Sequence, residues 1–340
     1  MDDARTLLTD LVSTPSVSGG ESEAARILVE AFERAGREVW IDEVGNVRAP
    51  ADDSVLLTSH IDTVPGEVPV REEDGFLWGR GSVDATGPLA AMAVAAVETG
   101  VSFVGVVEEE TTSRGARHLV ETRDAPDAVV NGEPSGWAGI VLGYRGYHAG
   151  SYRVEVPSAH TAVDDQNAIE RAMDWWDRVE AAVGDETARD ATAFERATAK
   201  PVGIEGGVTE DGLATEALVD AQFRLPPGTT GTDVESTVDA VTESGAVAWD
   251  EPIPPVMRSP RNAVARALRA GIRAADGEPT HLRKTGTSDM NLFAEAWDVP
   301  MATYGPGDSS LDHAPDERLE LAEFDRSVAV LTHATAALAE

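Results

Sequence analysis

The 340-residue chain contains no cysteine, which excludes disulfides, thiolate nucleophiles and sulfur ligands to a metal in one step. Any metal site must therefore be built from His, Asp and Glu. Lysine is nearly absent as well, with only Lys200 and Lys284, so the positive charge is almost entirely arginine. No apolar run approaches the roughly 20 residues that a membrane span requires. The opening segment "MDDARTLLTDLVSTPS" is acidic and amphipathic, unlike a secretory or transit peptide, and a cytoplasmic protein is the expectation. Acid is what the chain has in excess: 61 Asp and Glu against 27 Lys and Arg, a net charge of −34. The acidic residues are spread through segments of regular apolar periodicity, which argues against a disordered tail. Such a surface suits a halophilic protein, because at molar salt the Debye length falls to about 3 Å and self-repulsion is screened. It also makes nucleic acid an unsuitable partner.

Apolar patterning gives the architecture. Residues 2–14 and "ESEAARILVEAFERAG" read as amphipathic helices, and "SVLLTSH", "SFVGVV" and "DAVVNG" as buried strands. Between them "TGPLAAMAVAAVETG" is a small-residue helix. Strands alternating with helices predict an α/β domain with a mostly parallel mixed sheet sandwiched by helices. The texture changes near residue 146, where "GYHAGSYRVEVPSAH" alternates as an antiparallel strand does. A strand–helix–strand–strand–helix–strand order follows, the signature of a two-layer, ferredoxin-like α+β module. The expected organisation is a catalytic domain of residues 1–145 and 253–340, interrupted by a lid or dimerisation domain of residues 146–252.

Polar residues terminate one sheet element after another. In "LLTSHIDTVPG" a core strand ends in His60 and Asp62, which point to the same side of an extended chain. Asp84 sits in a Gly-rich turn that opens a helix, Glu108, Glu109 and Glu110 close "SFVGVV", Glu133 closes "DAVVNG", and His313 follows the loop "YGPGDSS". In open α/β sheets, ligands collect outside the carboxyl ends of the strands. Two histidines and several carboxylates there suit a pair of divalent ions, a device that activates water near neutral pH and polarises a carbonyl. A spare glutamate would be a general base.

The successive motifs "SHIDTVPG", "GRGSVDATGPLAA", "EEETTSRGA", "NGEPS" and "DHAPDE" resemble those of the dinuclear zinc deacylases and carboxypeptidases, the group of acetylornithine deacetylase and succinyl-diaminopimelate desuccinylase. The resemblance runs nearly end to end. It implies two Zn2+ or Co2+ ions, one held by His60, Asp84 and Glu133, the other by Asp84, Glu110 and His313, with Asp84 bridging. It also implies Glu109 as general base and Asp62 as the carboxylate orienting the His60 ring. Aligning Gly115 with the family's later glycine gives this register of the triplet; a register one residue earlier would make Glu108 the base and Glu109 the ligand. In the inserted module "PSAHTAVDDQNAI" resembles the family's lid motif, which implies His160 as the residue stabilising an oxyanion, supplied across a homodimer interface. His118, His148, His281 and His333 carry no motif and read as ordinary packing or surface residues.

A narrower resemblance lies in "RKTGTSDMNLFAEAWDVPMATYGPGDSSLDHAPDERL", similar to hydrolases that release lysine or ornithine from the C-terminal γ-glutamyl amide of an acidic amino-group carrier protein. It implies a cation for the product's α-carboxylate. Arg258, Lys284 and Arg145 are the candidates, with Thr285 and Thr287 as further donors. The same metal chemistry on free N-acyl amino acids or dipeptides is the alternative. A metal-binding relative without catalysis is more remote.

Overall fold

The computed structural model describes residues 4–162, 164–184 and 191–340. The first two residues of the expected N-terminal helix, and Val163 within the lid motif, lie outside them. The chain divides into two compact units, residues 1–142, 258–283 and 288–340 in one and residues 143–257 with 284–287 in the other. The boundaries read from sequence fall at 145/146 and 252/253.

The first unit is built on a mixed sheet in the strand order Trp40–Ile41, Val47–Ala49, Val101–Val106, Asp52–His60, Val129–Gly132, Met301–Thr303, Gly139–Tyr144, with Thr280–Lys284 paired to the last. The four strands from Val101–Val106 to Met301–Thr303 run parallel, and antiparallel strands flank them. Registers His60↔Val106 and Ser59↔Gly132 bring the ends of three neighbouring strands level, so the residues just beyond them emerge side by side.

Buried residues of Asp52–His60, Val55 to Leu57 among them, explain why this strand is central. Full burial of each leucine contributes about 1.5–3 kcal/mol relative to leaving it exposed. Helix Thr86–Thr99 is buried from Thr86 to Ala96, and its alanines and glycine let it lie against the strand Asp52–His60 and the helix Leu321–Ala339. A helix apolar on all sides belongs in an interior. Gly87 shows how close the approach is: a Cβ there would stand 2.5 Å from the Ser82 carbonyl oxygen and 2.7 Å from Leu319. Helix Ser22–Arg34 covers the sheet through Phe32, stacked on Phe103 at 5.0 Å. A small sheet of Arg318–Glu320, Phe76–Trp78 and Arg71–Glu73 aligns Arg318 with Trp78. That pairing places the segment after His313 against the turn that carries Asp84.

The second unit is a four-stranded antiparallel sheet in the order Thr198–Val208, Ala214–Leu225, Gly146–Pro157, Ala246–Trp249. Helices Ala168–Val183 and Gly231–Val241 pack on it, each begun by a capping box, Asn167 with Glu170 and Thr230 with Asp233. Tyr152 and Trp175 stack at 4.1 Å in its core. Thr198–Val208 is an edge strand, and Val202, Ile204 and Val208 on it are 57%, 62% and 66% exposed. No helix among the described residues is long and apolar enough to cross a membrane.

Candidate metal centre

His60 is the last residue of its strand and is buried. Its Nδ1 lies 2.9 Å from the backbone oxygen of Asp62 and 3.4 Å from Asp62 Oδ1, which leaves Nε2 pointing outward. Nε2 stands 3.3 Å from Asp84 Oδ1 and 3.9 Å from Glu133 Oε1. The other oxygen of Asp84, Oδ2, lies 3.2 Å from His313 Nε2, and that same nitrogen is 2.9 Å from Glu110 Oε1. Asp84 therefore presents its two oxygens to two different imidazoles, each accompanied by a second carboxylate.

The acidic triplet is held from below. Asp62 Oδ1 accepts the backbone N–H of Glu109 at 3.0 Å and Oδ2 that of Glu110 at 3.1 Å, while Ser18 donates its hydroxyl to Oδ2 at 2.7 Å. Asn46 accepts from Val107 N–H through Oδ1 and donates to the Gly115 carbonyl through Nδ2. A Cβ on Gly115 would stand 2.4 Å from that Oδ1, so only glycine lets the turn close here. Glu108 accepts no role in the cluster. Its backbone is left-handed (φ 59°), its N–H is bound by Glu21, and its carboxylate pairs with Arg114 and Thr112. His313 is also left-handed (φ 61°), a conformation that costs a non-glycine residue about 1–3 kcal/mol and is found where a side chain must be aimed. The Asp84–Ala85 peptide bond is cis.

Crowded carboxylates set the electrostatics. Burial, then the charge of Glu133, pushes the Glu109 carboxyl well above its ordinary range, with His60 acting the other way. Burial raises Glu110 too, aided by Asp84 and opposed by His60 and His313. Burial disfavours a charged His60 ring, yet hydrogen bonds to Asp62 and Asp84 and the charges of Glu133 and Glu109 outweigh it and lift its pKa well above normal. His313 is lifted to about 9, chiefly by its hydrogen bond to Asp84. Burial raises Asp62, but its bonds to His60, Ser18 and the Glu110 amide prevail and hold it low.

Single donor atoms of His60, Asp84 and Glu110 lie within 4.8 Å of one another. Imidazole nitrogens and carboxylate oxygens at such separations are the ligand set of zinc and related divalent ions, and the shared placement of Asp84 fits a pair of them. Asp42, Glu43 and His118 form a second such group. There Asp42 is already saturated by the amides of Val44, Gly45 and Asn46 and by Arg48 Nε at 2.7 Å, and Glu43 is exposed. It is an ion-pair cluster around a turn.

The substrate candidates are divided between the units. Arg258, in the first, donates to the carbonyls of Ala294 and Trp297. Lys284, Thr285, Thr287 and Arg145 belong to the second. Arg145 is buried, and its guanidinium donates to the carbonyls of Thr285, Ala193 and Arg196 and to the Thr198 hydroxyl at 3.0–3.2 Å. His160 is exposed on the loop after Gly146–Pro157, where Nδ1 accepts the Ala162 N–H at 3.1 Å. Three residues not singled out from sequence support the centre, Ser18, Asn46 and Glu317, and a fourth, Asp289, adds its charge beside Glu109. Asp289 is buried, and burial raises its carboxyl to about 7. Ser18 and Asn46 gave no signal because their partners are remote in the chain; Glu317 stood in "DHAPDE" beside His313.

Residues 56–337 match the family model described as Peptidase family M20/M25/M40. The chain belongs to this family of hydrolases. It is 44% identical to the LysW-lysine hydrolase of Deinococcus radiodurans, over 97% of this chain and 96% of that protein. It is 36% identical to a Thermococcus kodakarensis protein named as a candidate LysW-lysine or LysW-ornithine hydrolase, over 95% and 89% of the two chains. Among solved structures, an M20 family metallo-carboxypeptidase of Sulfolobus solfataricus superposes with a TM-score of 0.81 over the whole of both chains at 18% identity. The mixed α/β architecture is thus that of the family.

Proposed function

We propose that this M20-family hydrolase releases lysine or ornithine from the C-terminal γ-glutamyl amide of an acidic amino-group carrier protein, in the cytoplasm. The placement of Asp84 between His60 and His313 supports amide hydrolysis by a two-ion centre. The 44% identity to a LysW-lysine hydrolase supports the carrier-bound substrate.

In this reading His60, Asp84 and Glu133 would hold one ion and Asp84, Glu110 and His313 the other, zinc or cobalt. When bound, such ions supply Lewis-acid polarisation of the amide carbonyl and lower the pKa of water. The protein does the rest. Glu109 takes the proton of the attacking water and delivers it to the departing α-amino group as the C–N bond breaks. Asp62 fixes both the His60 ring and the amides of the triplet. His160 donates to the developing oxyanion, and Arg258, Lys284, Thr285 and Thr287 serve the product's carboxylate, with Arg145 bracing the backbone of Thr285.

A homodimer is supported by the edge strand Thr198–Val208. Its exposed Val202, Ile204 and Val208, with Ile169 and Met173 on the adjoining helix, suit pairing with the same strand of a second copy.

The test uses purified enzyme in high salt with zinc or cobalt, and follows free lysine and ornithine from the carrier-bound forms with N-acetylornithine alongside. Release from the carrier is the expected result. Cleavage of acetylornithine alone would overturn the substrate and keep the chemistry.

A further inference from the structure

Glu317 is completely buried, four residues after His313. Its Oε1 accepts the backbone N–H groups of Val83 at 2.9 Å and Asp84 at 3.1 Å. Its Oε2 accepts that of Gly81 at 3.1 Å and the Arg80 guanidinium at 2.7 Å. Its own backbone oxygen accepts from Gly79 N–H, and Arg80 also reaches the Ala314 carbonyl. One carboxylate thus closes the turn 79–84 onto the segment 313–317.

A buried carboxylate is costly unless its lone pairs are satisfied. Here three of the four donors are amides of the turn that delivers Asp84, and one is the amide of Asp84 itself. An aspartate side chain has only two torsions, so the orientation of its backbone largely sets the plane of its carboxylate. Presenting Oδ1 to His60 and Oδ2 to His313 requires that plane to be fixed. The same side chain anchors the segment on which His313 stands.

We infer that Glu317 is a positioning residue that holds Asp84 in its bridging orientation and sets the affinity of both ions. This rests on the reading of Asp84 as the shared ligand. Partners of this kind are worth 10–100-fold in metal affinity or activity.

The experiment compares E317Q, R80M and D84A full-length proteins in high salt. It measures metal content after dialysis against buffered free zinc, zinc affinity by chelator competition, melting temperature of the metal-free protein, and kcat and KM with excess zinc. E317Q keeps the shape but sets an NH2 group against an amide N–H. It should bind zinc 10–100-fold more weakly and regain part of its kcat in excess zinc, with KM little changed. R80M removes the ion pair and leaves the three amides held, so its zinc affinity should stay near that of the parent. Parental zinc affinity in E317Q, with or without a lower melting temperature, overturns the inference, as does equal loss in R80M. Should E317Q not fold, E317D is read instead: it keeps the charge one methylene further back, and parental affinity there is equally decisive. If D84A keeps both ions, the shared-ligand reading fails instead.

Discussion

Asp62 Oδ1 lies 3.0 Å from the backbone nitrogen of Glu109, so the carboxylate two residues beyond His60 holds the main chain of the acidic triplet as well as the histidine ring. Its other oxygen takes the Glu110 amide and the Ser18 hydroxyl. One side chain therefore fixes a ligand candidate on one strand and the base candidate on the next. Asp62→Asn keeps the shape but turns an NH2 group toward a donor. We expect kcat to fall by about 10–100-fold with metal content reduced in parallel. Unchanged kcat and metal content would show that the triplet is held by its turn alone.

Glu109→Gln separates proton transfer from ligation. Gln cannot accept the water's proton, so kcat should drop by about 10²–10⁴ while both ions stay bound. Asp84→Ala should do the reverse and empty both positions. Metal analysis of the two proteins side by side checks this. Loss of an ion in Glu109→Gln would move the base to Glu108, against the pairing of that residue with Arg114 and Thr112.

That these candidate residues gather at one place was legible because strands announce their own ends: His60, the Glu108–Glu110 triplet and Glu133 each follow an apolar run, and parallel pairing makes those ends neighbours. Which acid in the triplet turns inward was not legible, since it depends on left-handed Glu108 and on the Asn46–Gly115 contact. Arg145 marks the opposite limit. It is a candidate cation for a ligand's carboxylate, yet its guanidinium is engaged by carbonyls of two segments, Ala193 and Arg196 in one and Thr285 in the other, brought together only by folding. Spacing within a segment shows what a residue can offer; what meets it across more than 200 residues, as Glu317 meets Asp84, takes the tertiary structure.

Ile204 lies on the edge strand with 62% of its surface exposed, and Val202 near it on the same strand is 57% exposed. If a second copy pairs there, Ile204→Lys introduces like charges opposite each other in the joined sheet. The variant should run as a monomer by light scattering while the isolated fold keeps its melting temperature to within a few degrees. A persistent dimer would place the interface elsewhere.

The net charge of −34 makes a further prediction about docking. If the carrier is acidic, as proposed, it and this acidic enzyme repel at low ionic strength, and the repulsion reaches about 10 Å at 0.1 M salt but only about 3 Å at 1 M. Raising salt should therefore lower KM for the carrier-bound substrate. A small neutral amide, should the enzyme accept one, would show no such change, because no long-range field opposes its entry. The sign discriminates between two mechanisms of recognition. If KM for the carrier instead rises with salt, a local arginine patch must be steering it against the overall charge, and replacing Arg114, Arg117 and Arg123 with glutamine should abolish the salt dependence.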